Sequence, residues 1–326
     1  MSKCVFFGKC GGCLYQDMEQ TQYVQKKENF VKKSFSDYHL HIDIEKTICI
    51  PFGRRRRATF AFRKGIIGFN GYKSHQIVPL DSCPALVPEL SEFLPHLKIL
   101  VQNLKGSGDI SVLSTPYGID IHIKRESNPP SLHQREILAQ FASTHNIARI
   151  MYNHEPIVQS VQLPFAPDSF LQPSQEGEEI LINLVCNAIQ DKKNVVDLFC
   201  GSGTFTKPLF KKGKNIIGYD IASDSLKALG HIGQERDLFR NPLLPEELKN
   251  IDAVVIDPPR AGALLQCKQL SKTNIPLIAM VSCNPSTAAR DIRELIDNGG
   301  YKLHTIVLID QFIYSNHIEI FCTLTK

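Results

Sequence analysis

Two chemically reactive residues of the C-terminal half stand at the ends of apolar runs. Cys283 closes the apolar segment in Val281-Ser-Cys-Asn-Pro285, and Glu319 opens the last one in His317-Ile-Glu319. A thiolate can act as a nucleophile and a carboxylate as a general base, so both side chains are candidates for catalysis. Two simpler interpretations stay open. A lone cysteine in a β-region is more often a buried small residue. The side chains of His317 and Glu319, two positions apart, could face solvent on an edge strand.

A glycine-rich turn forms a second candidate site. It follows the apolar strand in Val195-Val-Asp-Leu-Phe-Cys-Gly-Ser-Gly-Thr-Phe205, where glycines let the backbone approach a ligand at the C-terminal edge of a sheet. One strand later, Asp220 is placed to accept hydrogen bonds from ribose hydroxyls, and Asp237 is a candidate to border an adenine. The spacing favours S-adenosylmethionine, although an ordinary tight turn or a nicotinamide site has the same local pattern. The candidate cofactor residues of this region are Phe199, Gly201, Thr204, Asp220 and Asp237.

A third motif, Val255-Ile-Asp-Pro-Pro-Arg260, adds Asp257 to the same edge. The two prolines have no backbone donors and fix the chain after a buried strand, which makes a rigid polar turn. A plain strand-ending turn would account for this motif alone. That interpretation is less suitable here, because the ends of neighbouring strands also supply Gly201, Asp220 and Cys283.

The elements that must bring these residues together are alternating strands and helices from residue 168 onward. Apolar runs predict the strands, and an amphipathic segment at 176–190 predicts a helix. Strands at this spacing with helices between them favour a doubly wound, mostly parallel sheet of the α/β class. The predicted strands span residues 194–199, 215–219, 251–256, 277–282, 303–309 and 318–324.

The first half of the chain follows other patterns. Residues 20–35 have the period of a helix with lysines opposite an apolar stripe, and residues 55–62 alternate as a strand does. The apolar stripe consists of Tyr23, Val24, Phe30, Val31 and Phe35. The further predicted elements are helices at 87–102 and 132–145 and a hairpin joining 109–113 to 119–124.

Length and composition exclude several classes. The 326 residues, 43% hydrophobic and 21% charged, are typical of a globular protein of two or three domains. No apolar run reaches the roughly 18 residues of a membrane span, and the first residues do not resemble a signal peptide. We therefore expect a cytoplasmic protein that does not associate with membranes. We expect three parts, at 1–90, 91–167 and 168–326.

Ten cysteines in a chain without a recognisable export signal indicate metal ligation or catalysis more than a disulfide framework. Three of them cluster in Cys4-x5-Cys10-Gly-Gly-Cys13, and a fourth lies far away in Asp81-Ser-Cys83-Pro84. Three clustered thiols and one distant thiol can complete a tetrahedral ligand set. By spacing alone, either zinc or an iron–sulfur cluster would suit these four residues.

Five motifs in the C-terminal half resemble, in the same order, those of the RNA uridine-5-methyltransferase family, whose members make 5-methyluridine in tRNA and 23S ribosomal RNA. The resemblance implies a Rossmann-like S-adenosylmethionine-dependent methyltransferase domain in which Cys283 is the nucleophile that adds to carbon 6 of uracil and Glu319 is the base. It also implies that Gln172 and Asp257 lie in the cofactor site. The motifs are Ser169-Phe-Leu-Gln172, Asp197-Leu-Phe-Cys-Gly-Ser-Gly203, Asp257-Pro-Pro-Arg260, Ser282-Cys-Asn-Pro285 and Asp310-Gln-Phe…His317-Ile-Glu319.

The N-terminal cysteines are similar to those of the ribosomal RNA branch of the family, which carries a four-iron cluster on cysteines so arranged. The resemblance therefore favours a [4Fe-4S] cluster over zinc. It implies a 23S rRNA (uracil-5)-methyltransferase with an iron–sulfur lobe and a small α+β domain ahead of the methyltransferase domain, and without the β-barrel RNA-binding domain that opens many members. We expect a monomer. The alternatives are a tRNA uridine-5-methyltransferase and a non-catalytic RNA-binding protein of the same fold.

Charge is mild overall but locally concentrated. The net charge is +4, from 37 Lys and Arg against 33 Asp and Glu, while the block Arg54-Arg-Arg-Arg57 is followed closely by Arg63. A charge run alone is usually a solvated face. On a strand beside a metal-binding lobe in an RNA enzyme, we expect these arginines to contact phosphates.

Overall fold

Two β-sheets flanked by helices make up the computed structural model, which describes residues 4–125, 129–167 and 169–326. The described helices are α1 (Gln20–Ser36), α2 (Pro88–Leu104), α3 (Leu132–Thr144), α4 (Gln175–Ala188), α5 (Thr206–Lys211), α6 (Ser223–Leu226), α7 (Leu264–Leu270) and α8 (Pro285–Gly299), with a 3₁₀ segment at Lys227–Ile232. The strands of the first half are β1 (Lys46–Cys49), β2 (Arg57–Arg63), β3 (Ile66–Asn70), β4 (Ile77–Pro79), β5 (Ser107–Thr115), β6 (Gly118–Lys124), β7 (Ile147–Tyr152) and β8 (Glu155–Gln159). Those of the second half are β9 (Asn194–Leu198), β10 (Asn215–Asp220), β11 (Gly233–Glu235), β12 (Ala253–Ile256), β13 (Leu277–Ser282), β14 (Lys302–Asp310) and β15 (Glu319–Thr325).

The larger sheet has eight strands in the order β1-β14-β15-β13-β12-β9-β10-β11. All its neighbouring strands run parallel except β15, which is antiparallel to both β13 and β14. Every residue of β12 and β13 is buried, as expected for central strands covered on both faces by helices. The predicted doubly wound α/β sheet is confirmed.

This strand order gathers the candidate residues at one edge. The parallel strands β9, β10, β12 and β13 have their carboxyl ends there. Because β15 runs the other way, it begins at that same edge. Ligands of open α/β sheets bind at the carboxyl ends of the parallel strands, so the topology predicts the site at this edge.

The smaller sheet has seven strands in the order β4-β3-β2-β5-β6-β7-β8. Alternate residues of β2, Ala58, Phe60 and Phe62, are buried in one core with leucines of α2, while Thr59 and Arg63 are exposed. Side chains on a strand alternate between its two faces, so α2 covers one face of the sheet and leaves the other more polar.

The first 90 residues divide between the two sheets. Strand β1 pairs with β14, and α1 packs against α8, so both belong to the larger sheet's layers. Strands β2 to β4 instead join β5 to β8 in the smaller sheet, because β2 pairs with β5 along its whole length. The expected boundary at residue 90 therefore falls between strands of one sheet, and the three-part division stays a prediction. Asp168, at the other expected boundary, lies outside the described residues.

Helix α1 departs from its predicted pattern at two residues. Tyr23, Val31 and Phe35 are buried as expected, but Phe30 is 48% exposed, so that assignment was wrong. Lys27, expected on the opposite face, is buried with only 3% of its surface exposed. Positions 23, 27, 31 and 35 follow one another at four-residue steps, so Lys27 lies on the same ridge of the helix as its buried neighbours.

No helix of the described ranges is long and apolar enough to cross a membrane.

Candidate active site

Cys283 and Glu319 lie at the ends of two neighbouring antiparallel strands. Ser282, the last residue of β13, pairs with Ile320 of β15. Cys283 follows Ser282 and Glu319 precedes Ile320, so these two residues occupy the next register position, where side chains of adjacent strands share one face. Cys283 is half-buried and Glu319 is buried. The structure thus brings together the two residues that the sequence indicates for catalysis.

The loop after β12 adds a carboxyl group and a guanidinium to this pair. Asp257 directly follows β12, and Arg260 closes the same motif. The carbonyl oxygen of Arg260 accepts hydrogen bonds from Asn284 Nδ2 at 2.9 Å and from Thr287 Oγ1 at 3.2 Å. The Asn284 side chain also caps the N-terminus of α8 by accepting from the Ser286 N–H at 3.2 Å. These bonds fix the Asp-Pro-Pro-Arg loop against the segment that carries Cys283.

Burial shifts the titration of all three acidic groups at this edge. The pKa of Glu319 is raised to about 8, mainly by burial and further by Asp257. Burial also raises the pKa of Asp257 to about 7. The pKa of the Cys283 thiol is raised to about 11 by burial and by the two carboxylates, against the opposing charge of Arg260. Arg260 is therefore the cation that favours a thiolate here, a role that its place in the motif alone does not reveal.

The glycine-rich turn and Asp220 form the second part of the site. Gly201, at a φ of 53°, donates its N–H to Asp220 Oδ2 at 2.9 Å, and Ala222 donates its N–H to Oδ1 at 2.8 Å. A carboxylate has about four acceptor positions. Asp220 therefore orients the turn and keeps acceptor capacity for a ligand.

Asp197 is a buried acid that does not belong to the site residues predicted from the sequence. It is fully buried in β9, its Oδ2 accepts a hydrogen bond from Thr206 Oγ1 at 2.6 Å, and burial raises its pKa to about 7. Its Oδ1 has no hydrogen-bond partner among the described residues. Such an orphaned acceptor fits a ligand that donates. The sequence signal was an acidic residue inside an otherwise apolar strand, just ahead of the glycine-rich turn.

The remaining candidates of the turn lie around the same edge. Phe199 has a φ of 63°, which is uncommon for a residue with a side chain, and its ring lies 5.3 Å from that of Phe239. Thr204 is half-buried in the turn. Asp237 Oδ1 accepts from the N–H groups of Phe239 and Arg240 at 3.0 and 3.2 Å, so this side chain stabilises the turn formed by residues 237–240.

Gln172 is buried and tied to two other segments. Its Oε1 accepts from Gln311 Nε2 at 2.8 Å, and its carbonyl oxygen accepts from Arg56 Nε at 3.0 Å. Gln311 in turn accepts from Ser174 Oγ at 3.1 Å. Gln172 therefore joins the loop before α4 to the segment between β14 and β15.

The four N-terminal cysteines line one pocket. Cys4, Cys10, Cys13 and Cys83 meet there, with aromatic side chains and Arg55 around them. Burial and the neighbouring thiols raise the pKa values of Cys10, Cys13 and Cys83, that of Cys83 to about 11, while Arg55 opposes the shift. In the three described ranges, no group of three or more His, Cys, Asp or Glu side chains is arranged so that it could hold a metal ion.

The arginine block makes mostly intramolecular contacts. Arg54 pairs with Glu176 at 3.2 Å, and Arg56 pairs with Glu178 at 2.9 Å. The Arg55 guanidinium lies 4.9 Å from the Phe312 ring and beside the cysteine pocket. Three of the four arginines therefore connect the smaller sheet to the larger one, which a charge run alone does not reveal.

A groove lies between the open side of the smaller sheet and the segment that precedes β15. Arg57, Tyr72, Lys73 and Phe170 line it together with His317, which comes two residues before Glu319. The Tyr72 and Phe170 rings are more than half exposed. The Arg57 guanidinium lies 5.5 Å from the Phe170 ring. The groove therefore offers cations and open aromatic faces.

A largely parallel sheet with a glycine-rich turn and an acidic residue at the ends of β9 and β10 is the Rossmann-like fold of an S-adenosylmethionine-dependent methyltransferase. The solved structure of the tRNA (uracil-54, C5)-methyltransferase of Pyrococcus abyssi, in complex with S-adenosyl-L-homocysteine, has this fold. It superposes with a TM-score of 0.74 at 20% identity, over 96% of this chain and 86% of that one.

Sequence comparisons identify the family. A family model described as tRNA (uracil-5-)-methyltransferase matches residues 231–326. An uncharacterised RNA methyltransferase of Mesorhizobium japonicum is 35% identical over 99% of this chain and 84% of its own length. The 23S rRNA (uracil(1939)-C(5))-methyltransferase of Tolumonas auensis is 28% identical over 97% of this chain and 80% of its own. The chain belongs to the RNA (uracil-5-)-methyltransferase family and is an S-adenosylmethionine-dependent enzyme.

Proposed function

We propose that this enzyme methylates carbon 5 of one uridine in 23S ribosomal RNA through a covalent bond between Cys283 and carbon 6. The observation that carries the proposal is the register of β13 and β15, which sets Cys283 beside Glu319. A nucleophile and a base on one face can act on the same flat ring. The target base must leave its stack to be reached in this way.

The reaction needs both residues because carbon 5 of uracil is a weak nucleophile. The Cys283 thiolate adds to carbon 6, and the ring becomes an enolate whose carbon 5 is reactive. Carbon 5 then takes the methyl group that S-adenosylmethionine supplies. Glu319 removes the hydrogen still on carbon 5 as a proton, the double bond to carbon 6 re-forms, and the thiolate leaves.

The charges at the site suit these steps. Arg260 is the cation beside Cys283 and offsets the burial that disfavours a thiolate. The burial that raises the pKa of Glu319 to about 8 makes it a stronger base than an exposed glutamate, while leaving part of it ionised near neutral pH. We assign Cys283 as the nucleophile and Glu319 as the base on these grounds.

We assign the methyl donor to the second part of the site. The spare acceptor positions of Asp220 suit ribose hydroxyls, and the orphaned Oδ1 of Asp197 suits an ammonium group. We assign donor binding to the predicted residues at this edge, with Asp197 added. They are Gln172, Phe199, Gly201, Thr204, Asp220, Asp237 and Asp257.

We further propose that Cys4, Cys10, Cys13 and Cys83 hold a [4Fe-4S] cluster. All four thiols line one pocket, yet no three are arranged for a metal ion within the described residues. The ligands of a four-iron cluster stand farther apart than those of one zinc ion, because irons and sulfides lie between them. The role of the cluster would be structural, since methyl transfer requires no electron transfer.

The pocket also explains how such a cluster would serve RNA binding. The Leu14 N–H, next to Cys13, donates to the Tyr314 carbonyl oxygen at 2.6 Å. The pocket and the groove share Gly12, Arg55 and Phe69. A cluster would therefore hold one wall of the groove, where Arg57 and Lys73 can meet phosphates and the open rings can stack on bases.

The RNA target is tested by methylation of purified RNA. We propose 23S rRNA because the cysteine set is similar to that of the ribosomal branch, and we propose that the protein acts as a cytoplasmic monomer. Purified enzyme should place 5-methyluridine in 23S rRNA from a strain that lacks the gene, and not in tRNA from that strain. Methylation of tRNA alone would assign the tRNA activity instead. Binding to either RNA with no methyl transfer would indicate a non-catalytic protein.

A further inference from the structure

The segment between β14 and β15 carries the base into the site. Strand β14 ends at Asp310, β15 begins at Glu319, and residues 311–318 connect them. Ile309 and Glu319 are register partners, so the segment is the loop of an antiparallel hairpin with the base at its foot. Whatever holds the two ends of this loop also sets where Glu319 stands.

Lys27 of α1 contacts both ends of that loop. Its Nζ lies 3.3 Å from Asp310 Oδ1 at the start and donates to the His317 carbonyl oxygen at the end. Lys27 is buried, and Asp310 has no exposed surface. The contacts span more than 280 positions of sequence, so they are a feature of the tertiary fold.

Tyr23, one turn earlier on α1, also contacts Asp310 and holds the middle of the same loop. Its hydroxyl donates to Asp310 Oδ2 and accepts the Tyr314 N–H at 2.7 Å. Its ring also lies 5.2 Å from that of Tyr314. Tyr23 and Lys27 together therefore fix the start, the middle and the end of residues 311–318.

We propose that Lys27, with Tyr23 and Asp310, is a positioning residue for Glu319: it holds the hairpin loop so that the carboxylate faces carbon 5 of the target ring. The inference rests on the proposed function, since it assigns the device to the base of that reaction. A buried ion pair is weak evidence for stability, because apolar or neutral replacements are often as stable. The contacts of Lys27 with both ends of the loop explain the buried pair better than a contribution to stability does.

The test separates positioning from stability. Lys27→Met alone leaves Asp310 buried without its cation, which costs stability. The double variant Lys27→Met/Asp310→Asn removes both charges and should regain the wild-type melting temperature, while the His317 carbonyl oxygen stays unanchored. Lys32→Met is the matched control, because Lys32 is exposed on the same helix.

Single-turnover reactions with 23S rRNA and labelled S-adenosylmethionine give the readout. The double variant should form the methylated protein–RNA adduct normally and release product about 10- to 100-fold more slowly than wild type. In steady state, kcat should fall with little change in KM. Wild-type release by a double variant of restored stability overturns the inference, because the pair then serves only the fold.

A second variant decides the matter if the double variant stays unstable. Tyr23→Phe leaves Lys27 and Asp310 paired and removes the hydroxyl from Asp310 and Tyr314. Slower release in this variant supports the positioning role, and unchanged release overturns it. Failure of the covalent mechanism appears differently, as a wild-type enzyme that forms no adduct. In that case the steady-state kcat and KM of the double variant still test the role of Lys27.

Discussion

Cys283 and Glu319 come from different motifs, yet the antiparallel pairing of β13 with β15 sets them opposite each other, one position beyond the Ser282–Ile320 pair. Had β15 been parallel to β13, Glu319 would have entered at the opposite edge of the sheet. The one reversed strand within the sheet therefore gives the site its base. The donor turn lies on β9 and β10, on the other side of β12, so the methyl donor and the target ring can approach from different sides.

Replacing the base should trap the reaction late. We expect Glu319→Gln to add its thiol and methylate carbon 5 but to fail at proton removal, so a methylated protein–RNA adduct accumulates on unmodified RNA. Denaturing gels with labelled S-adenosylmethionine measure it. Glu92→Gln, an exposed change on α2, is the control and should turn over normally. Rapid release by Glu319→Gln would show that another group takes the proton.

The release step should depend on pH through Glu319. Its pKa is raised to about 8, and the base must be ionised to accept a proton. The rate of adduct decay should therefore rise as pH rises, about tenfold per unit well below the pKa, and level off above it. Decay of the adduct is measured rather than its formation, because formation also becomes faster at higher pH as the Cys283 thiol ionises. Decay that does not change between about pH 6 and about pH 9 would contradict this role.

Asp220 should matter to the methyl donor without affecting RNA binding. Asp220→Ala removes the acceptor of the Gly201 and Ala222 N–H groups, which holds the turn, and the spare acceptor for ribose. We expect the Kd for S-adenosylmethionine to rise about 10- to 100-fold by calorimetry. Asp224→Ala, an exposed change four residues further along the chain on α6, is the control. Equal affinity in both variants would remove Asp220 from the donor site.

The proposed cluster in the cysteine pocket predicts a coloured protein in which loss of the cluster affects RNA binding but not donor binding. Protein purified without air should be brown and yield iron and sulfide in equal amounts. Cys83→Ser should lose the cluster and weaken RNA binding, while donor affinity at Gly201 and Asp220 survives. Cys186→Ser, on α4 away from the pocket, is the control. A colourless anaerobic preparation with one zinc per chain would contradict the cluster, and normal RNA affinity in Cys83→Ser would contradict the structural role.

The sequence predicts the larger sheet and its functional edge well, for a physical reason. Strands buried on both faces are continuous apolar runs, and their ends are marked by glycine, proline and acidic residues. Asp257 and Cys283 could therefore be placed at one edge before any coordinates. That Arg260 lies near the thiol of Cys283 was not predicted, because the two residues belong to different motifs and the effect of that charge depends on burial and distance.

Long-range pairings carry no comparable signal. The alignment of Lys46 with Val307, which brings β1 into the larger sheet, joins segments with no pattern in common. Lys27 illustrates the same limit, since a lysine in a basic helix is expected to face solvent. Only its four-residue spacing from Tyr23 and Val31 indicates the buried ridge. Likewise, the partners of Arg54 and Arg56 on α4 are visible only in the folded chain.

The central claim is that Cys283 bonds to the target ring, and RNA containing 5-fluorouracil tests it most directly. Fluorine on carbon 5 cannot leave as a proton, so the reaction should stop at a stable adduct. Digestion and mass spectrometry should find the modified nucleotide on the peptide that contains Cys283, and Cys283→Ala should form no adduct. An adduct on another cysteine, with Cys200 and Cys267 the next to examine, or undiminished adduct in Cys283→Ala, would contradict the account.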